Sequence, residues 1–194
     1  MSNRYPDAPA LPQRVELPGG LILTVRFAET RDLEALIDLF SALPAEDRYH
    51  RFFSMFRPTP EFVRSWIDAS RHTGCLLVAE LPPAGDGRAH IVAEAGYTKL
   101  PDGAAEFGVT VAKDWRGWLG PFLIDLLVDA ARADGISVLE AEVLTENRAM
   151  RALTAARGDA VLNRPDWAVT RVAISTDGRV PPWPPHDARP RVLV

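Results

Sequence analysis

The sequence has little cysteine, few histidines and no long apolar run, and each shortage excludes a class of protein. A single cysteine, Cys75, excludes an internal disulfide. Cys75 opens the apolar segment 75–79, where we expect a small buried core residue and not a nucleophile, because no basic partner is evident. The four histidines show no metal-ligand spacing, so the sequence predicts no metal site.

Membrane and nucleic-acid classes are disfavoured as well. No apolar run reaches the roughly 18 residues of a membrane span. The N-terminus lacks a signal-peptide pattern, so we predict a cytoplasmic protein without membrane contact. The net charge of −4 does not favour a nucleic-acid partner.

What is present is ordinary for a soluble globular protein: 47% hydrophobic and 25% charged residues in a chain of 194. We expect one domain over residues 14–176. A flexible N-terminal arm is predicted for residues 1–13 and a Pro-rich tail for residues 177–194. The oligomeric state stays open between monomer and homodimer.

The most informative pattern is a strand, a Gly-bearing loop and a helix between Ala104 and Gly135. Apolar residues alternate with polar or small ones up to Val111, which is typical of a half-buried strand. Gly117 and Gly120 follow in a loop, and a helix is predicted from Pro121 to Asp134, because proline suits the first turn of a helix. This order aims backbone N–H groups and the positive end of a helix dipole at one spot, where a phosphate-bearing ligand fits. Many such junctions carry two glycines for turn geometry alone.

The remaining pattern predicts further strands and helices around this junction. Thr59 is a plausible cap for a helix that begins near Glu61. Strands are predicted at 75–81, 90–99, 137–143, 160–162 and 167–174, with a hairpin at 15–26. Strands flanked by helices, with strand–helix–strand units late in the chain, give an α/β or α+β sheet protein.

Four segments resemble a known family in order and spacing: Glu-Phe-Gly-Val-Thr-Val, Asp-Trp-Arg-Gly, Ala-Arg-Ala-Asp-Gly-Ile and Glu-Val-Leu-Thr-Glu-Asn-Arg-Ala-Met. They resemble the acyl-CoA-binding core of the GNAT N-acyltransferases, and within these the bacterial protein-lysine acetyltransferases. The segment Arg48–Phe53 resembles the one that those enzymes carry between their first two helices. The resemblance extends over roughly residues 20–175.

The resemblance implies both a fold and a reaction. The implied fold is a mixed, mostly antiparallel sheet of six to seven strands flanked by helices, with two strands splayed apart to admit the cofactor. The implied co-substrate is acetyl-CoA, without a metal. The implied acceptor is a protein lysine, with an acyl-CoA synthetase as one candidate, while a small amine stays open because acceptor choice depends on loops.

Glu106 is the candidate general base. A lysine amine has a free pKa of about 10.4 and must lose a proton before it attacks a thioester. A carboxylate in a partly desolvated cleft, with a raised pKa, can accept that proton. The resemblance implies this role for the glutamate of the Glu-Phe strand. Periodicity alone favours a solvated side chain. Arg48, Tyr49 and Arg51 are candidates to shape the acceptor cleft, with helix-surface ion pairing as the alternative.

The resemblance also implies a cofactor-binding set. Backbone N–H groups from Val109 to Val111 are the expected donors to the oxyanion. The family loop usually reads Gln/Arg-Gly-x-Gly-x-Gly, whereas here Arg116-Gly-Trp-Leu-Gly120 lacks the middle glycine. The predicted cofactor-binding residues are Val109, Thr110, Val111, Arg116, Gly117, Trp118, Leu119, Gly120, Pro121 and Asn147.

Two departures from the family pattern keep a further hypothesis open. Trp118 stands beside the missing glycine, and a shorter loop can lose a contact to pyrophosphate. Thr154 stands where many members carry a tyrosine that protonates the departing thiolate. Asn147 is an N-cap candidate whether or not it also contacts the cofactor. The chain is therefore interpreted as a lysine or small-amine acetyltransferase, or as a degenerate CoA-binding or partner-binding module without catalysis.

Overall fold

The structure is a computed structural model that describes residues 11–83, 90–162 and 168–178. Most of the predicted arm and tail therefore lies outside the described residues. The strands are β1 (Gln13–Glu16), β2 (Ile22–Phe27), β3 (Gly74–Leu81), β4 (His90–Lys99), β5 (Ala105–Val111), β6 (Val138–Leu144), β7 (Ala160–Leu162) and β8 (Val169–Ser175). The helices are α1 (Leu33–Ala42), α2 (Ala45–Phe52), α3 (Pro60–Thr73), α4 (Leu119–Ala133) and α5 (Arg148–Ala155). None of the helices described is long and apolar enough to cross a membrane.

The strands of the described residues form one sheet in the order β1-β2-β3-β4-β5-β6-β8-β7. Every neighbouring pair is antiparallel except β5 and β6, which are parallel. A parallel pair needs a crossover, and α4 supplies it. The mixed, mostly antiparallel prediction is confirmed, but the sheet has eight strands, not six to seven, because the N-terminal hairpin adds both β1 and β2 at one edge.

Two apolar cores lie on opposite faces of the sheet. On one face, Leu76 and Val78 of β3 pack with α1 and α3. On the other, Leu77 and Ala79 join the buried side of α4. Strand β3 is covered on both faces, so its sequence is continuously apolar and does not alternate.

The sheet is split between β5 and β6. Only Ala105 with Leu139 and Glu106 with Glu140 are paired, and beyond them the two strands separate. Ala112 donates its N–H to the carbonyl of Val92 on the β4 side. Because backbone groups alternate in direction along a strand, the N–H groups of Val109 and Val111 point into the split. This opening is where the predicted splay of two strands lies.

Helix α4 begins two residues earlier than predicted. Its first residue is Leu119, not Pro121, so the loop after the short 3-10 turn at Lys113–Trp115 contains only Arg116, Gly117 and Trp118. Pro121 still fits, because the first-turn N–H groups of a helix have no intrahelical acceptor. Leu119 is fully buried and anchors the helix start in the core, which explains why the shorter loop leads directly into the helix.

Candidate active site

A cavity of about 940 Å³ lies at the split, enclosed by α2, β5, β6, the short loop and α5. Of the predicted site residues, those that line it are Glu106, Val109, Thr110, Val111, Arg116, Gly117, Gly120, Pro121 and Asn147. Trp118 and Leu119 do not line it. Trp118 is exposed and packs against Phe122, while Leu119 is buried in the core. The structure thus gathers most of the predicted set around one space and turns two members away from it.

Glu106 occupies the last paired position of β5 before the split and is half-buried at the cavity wall. Burial raises the pKa of its carboxyl, and the neighbouring carboxylate of Glu142 raises it further. The Arg51 guanidinium acts in the opposite direction and lowers the pKa. A carboxyl group with a raised pKa is a better proton acceptor than an ordinary glutamate, as a general base requires.

The backbone donors beside Glu106 differ from one residue to the next. The N–H groups of Val109 and Val111 point into the split, as the strand pairing requires. Thr110 is different, because its backbone faces β4. Its hydroxyl donates to Oε1 of Glu94 at 2.6 Å. Two of the three predicted backbone donors are therefore directed at the cavity.

The other end of the cavity has the properties of an anion site. Gly117 has a φ of +101°, a left-handed conformation that favours glycine. The N–H groups of Leu119 and Gly120 lie in the first turn of α4, where no intrahelical acceptor exists. No side chain caps this end of the helix either. Fixed donors of this kind suit a phosphate. The absence of a side chain at Gly120 lets Leu153 of α5 approach, since a Cβ there would lie 3.0 Å from Leu153 Cδ1.

Arg116 is held across the mouth of this anion site. Its terminal nitrogen contacts Oδ2 of Asp47 on α2 at 2.7 Å, and its Nε donates to the carbonyl of Val111 at 3.2 Å. The guanidinium therefore bridges α2 and the end of β5 at the cavity wall, and one of its donors is already paired with a carboxylate. A phosphate at this position competes with Asp47 for Arg116.

Asn147 caps α5, as the sequence predicts: its side-chain oxygen accepts the N–H of Met150 at 3.1 Å. Asn147 also lines the cavity. Thr154 does not, because it is buried and its hydroxyl donates to backbone carbonyls of α5. Neither Tyr49 nor Tyr97, the tyrosines of the described residues, lines the cavity.

Sequence reasoning missed several charged groups in the cavity wall or directly behind it. Glu94 is completely buried on β4 and pairs with Arg51 of α2. The sequence feature that could have identified Glu94 is its position as a lone carboxylate within the apolar run Ile91–Tyr97. Asp47 and Glu142 line the cavity itself. Their sequence context carries no mark, because Asp47 lies in the first turn of a helix and Glu142 at an alternating position of a strand, where acidic residues are common. In the described part of the chain, no cluster of three or more histidine, cysteine or acidic residues could hold a metal ion.

Comparison with known proteins fits this geometry. Residues 35–158 match the model of the acetyltransferase (GNAT) family. Among solved structures, the GNAT domain of S. lividans PAT superposes with a TM-score of 0.72 at 24% identity, covering 86% of this chain and 98% of that one.

Two further structures share the fold at lower identity. One is yncA from Salmonella typhimurium, a putative acetyltransferase with its cofactor acetyl-CoA (TM-score 0.62, 18% identity, 86% of this chain and 99% of that one). The other is spermidine N-acetyltransferase from Vibrio cholerae, in complex with CoA and spermine (TM-score 0.62, 16% identity, 80% and 96%). At these identities, the structural matches show the fold alone.

Proposed function

This chain belongs to the GNAT acetyltransferase family, and from that premise we propose that it transfers an acetyl group from acetyl-CoA to the ε-amino group of a protein lysine. The observation that carries the proposal is Glu106: a half-buried carboxylate with a raised pKa, positioned where β5 and β6 separate and facing a cavity of about 940 Å³. The sequence resemblance to bacterial protein-lysine acetyltransferases supports lysine as the acceptor.

The residues of the cavity fit acetyl-CoA. The uncapped start of α4, Gly117 and Arg116 suit the pyrophosphate. The free edge of β5 suits the amide-bearing arm and the thioester, because its N–H groups need acceptors. Met150 and Leu153 offer an apolar wall on the α5 side. The missing loop glycine does not remove these donors, since the helix itself begins earlier.

The proposed reaction is direct attack within a ternary complex. Glu106 takes one proton from the acceptor ammonium, and the freed nitrogen forms a bond to the thioester carbonyl carbon. The carbonyl oxygen becomes negative and accepts the N–H of Val109. The C–S bond then breaks, the thiolate of CoA leaves, and it takes the extra proton of the new amide nitrogen. Glu106 later releases its proton to solvent.

A small polyamine is the second candidate acceptor. Three carboxylates line the cavity, those of Asp47, Glu106 and Glu142. Asp47 is paired with Arg116 and Glu142 with Arg171, which leaves Glu106 to attract a cationic amine. The same fold occurs in spermidine N-acetyltransferase, whose structure holds CoA and spermine, so the fold itself accommodates a polyamine. The Glu106 carboxylate serves a lysine ammonium equally well, so turnover with each acceptor distinguishes the two candidates.

The test is acetyl-CoA turnover by the purified chain with lysine peptides and, separately, with spermidine and spermine. CoA thiol release gives the rate, and mass spectrometry locates the acetyl group. The lysine proposal predicts acetylation at Nε of peptide lysine. Turnover restricted to the polyamines would establish the second candidate instead.

Glu16→Gln is a matched control for Glu106→Gln, because Glu16 is an exposed strand carboxylate on β1 that does not line the cavity. The proposal predicts loss of turnover in the Glu106 variant alone. If calorimetry detects no acetyl-CoA binding and no acceptor is acetylated, the chain is a binding module that has retained an acetyltransferase fold.

A further inference from the structure

The guanidinium of Arg51 lines the cavity and has no part in the proton transfer by Glu106. Its Nε donates to Oε1 of Glu94 at 3.1 Å and to the hydroxyl oxygen of Thr110 at 3.2 Å. The central carbon lies 5.3 Å from the ring centroids of both Phe52 and Trp66. Its two terminal nitrogens have no hydrogen-bond partner among the described residues, and the side chain lines the cavity.

Gly108 determines how close this guanidinium comes to β5. A Cβ at position 108 would lie 2.7 Å from the central carbon of Arg51 and 2.8 Å from each terminal nitrogen. Such distances are shorter than any ordinary contact, so the group rests directly on the strand backbone. Positions 106, 108 and 110 share this face of β5, so the terminal nitrogens lie between Glu106 and Thr110. Val109, whose N–H points into the split, is the next residue along the strand.

Glu94 keeps Arg51 in this orientation. Its side chain is completely buried, and only Oε1 is paired, while Oε2 has no partner among the described residues. Burying a carboxylate is costly unless it is paired, and a buried pair is rarely retained for stability alone. Glu94 and Thr110 both bind Nε of Arg51, so the two terminal nitrogens of the guanidinium stay available on the cavity side. The two-bond contact that arginine often makes to a carboxylate through its terminal nitrogens is not formed here.

We infer that Arg51 is a second oxyanion donor: its terminal nitrogens hydrogen-bond to the thioester carbonyl oxygen, which the N–H of Val109 also binds, and Glu94 and Thr110 position it. The inference rests on the proposed function. As the amine nitrogen bonds to the carbonyl carbon, the C=O electron pair moves to oxygen, and Arg51 stabilises that charge until the C–S bond breaks. Donors that are fixed before charge develops need no reorganisation during the reaction.

The kinetic test compares Arg51→Gln/Glu94→Gln with wild type. The double variant replaces both members of the buried pair by neutral amides, so no unpaired buried charge remains. We expect kcat to fall about 10²- to 10³-fold, the effect of losing an oxyanion donor. The KM for acetyl-CoA should stay within roughly threefold, because the interaction strengthens only in the transition state. Arg64→Gln, at an exposed position on α3, controls for the loss of a cation.

Gly108→Ala supplies a second, independent variant. It keeps every charge, but its methyl group must push the flexible end of Arg51 away from β5. We expect kcat to fall in this variant, and no further fall when it is added to Arg51→Gln/Glu94→Gln. An additive effect would mean that the methyl group obstructs the substrate directly, and it would overturn the assignment.

A readout that does not depend on the acceptor separates this inference from the proposed function. Infrared difference spectra of bound acetyl-CoA labelled with ¹³C at the carbonyl report hydrogen bonds to that oxygen. We expect the C=O band to lie at lower frequency in wild type than in the Arg51 double variant. An identical band in both proteins, or kcat within about threefold of wild type, contradicts the inference even if lysine acetylation is established. A shifted band without lysine acetylation refutes only the acceptor.

Discussion

The contact between Arg116 and Asp47 leads to opposite effects of two substitutions on acetyl-CoA binding. Arg116 is 42% exposed and pairs with Asp47 at 2.7 Å beside the uncapped start of α4. If Arg116 binds the pyrophosphate of acetyl-CoA, the carboxylate of Asp47 repels the phosphate and competes with it for the guanidinium. Removing the arginine then weakens binding, whereas removing the competing carboxylate strengthens it.

The two magnitudes differ because the two contacts differ in strength. An exposed ion pair contributes about 0.2–1 kcal/mol, so Asp47→Asn should tighten binding by roughly 1.4- to 5-fold. A hydrogen bond to a charged group contributes about 1.5–3 kcal/mol, so Arg116→Ala should weaken binding by roughly 10- to 150-fold. In the double variant the Asp47 effect should vanish, because the carboxylate no longer has an arginine to compete for.

Titration calorimetry with acetyl-CoA at low and at high salt measures these effects. The Arg116 contribution should shrink as salt rises, because exposed charges are screened. Lys113→Ala is the matched control: Lys113 is an exposed cation in the preceding 3-10 turn and does not line the cavity. Equal weakening by Asp47→Asn and Arg116→Ala would refute the reasoning, since it would mean that Asp47 orients Arg116 for the ligand and does not compete with it.

Three further substitutions test the site and the fold. Glu106→Gln should lower kcat about 10²- to 10⁴-fold, because it removes the general base. It should also raise the melting temperature. Burial and Glu142 raise the pKa of Glu106 in the folded protein, so the ionised side chain destabilises the fold at pH values above its unfolded pKa. Calorimetry showing a lower melting temperature would contradict this sign. Thr59→Ala removes the side chain that accepts the Phe62 N–H and should cost about 1 kcal/mol in denaturant unfolding, with turnover unchanged. Leu127→Ala, at a fully buried position of α4, should cost about 2–5 kcal/mol by the same measurement; a cost below about 1 kcal/mol would place Leu127 outside the packed core.

Local patterns predicted the parts of the fold that depend on neighbours in the sequence. The alternation around Phe107, the Thr59 cap and the Asn147 cap all follow from a few adjacent residues, and the structure contains each of them. The start of α4 was wrong by two residues, because Pro121 tolerates several first-turn positions and the burial of Leu119 decided the choice.

The candidate site was less accessible to sequence reasoning, because its charged contacts join distant segments. Arg51 meets Glu94 across 43 positions of the chain, and Arg116 meets Asp47 across 69. No local periodicity encodes such pairs; they arise from strand register and from the placement of α2 over β5. The outward turn of Trp118 differs from these pairs, because it packs on Phe122, only one helical turn later in the chain.

The split between β5 and β6 has a consequence for the exchange of amide protons with solvent. Amides in the middle of a large sheet are normally among the slowest to exchange, because their hydrogen bonds open only in global unfolding. Here the N–H groups of Val109 and Val111 lie at the centre of the sheet without a strand partner on that side. They should exchange quickly in the free protein, next to slowly exchanging neighbours such as Thr110. Binding of a ligand in the split would therefore slow amide exchange at Val109 and Val111, which are alternate residues of β5.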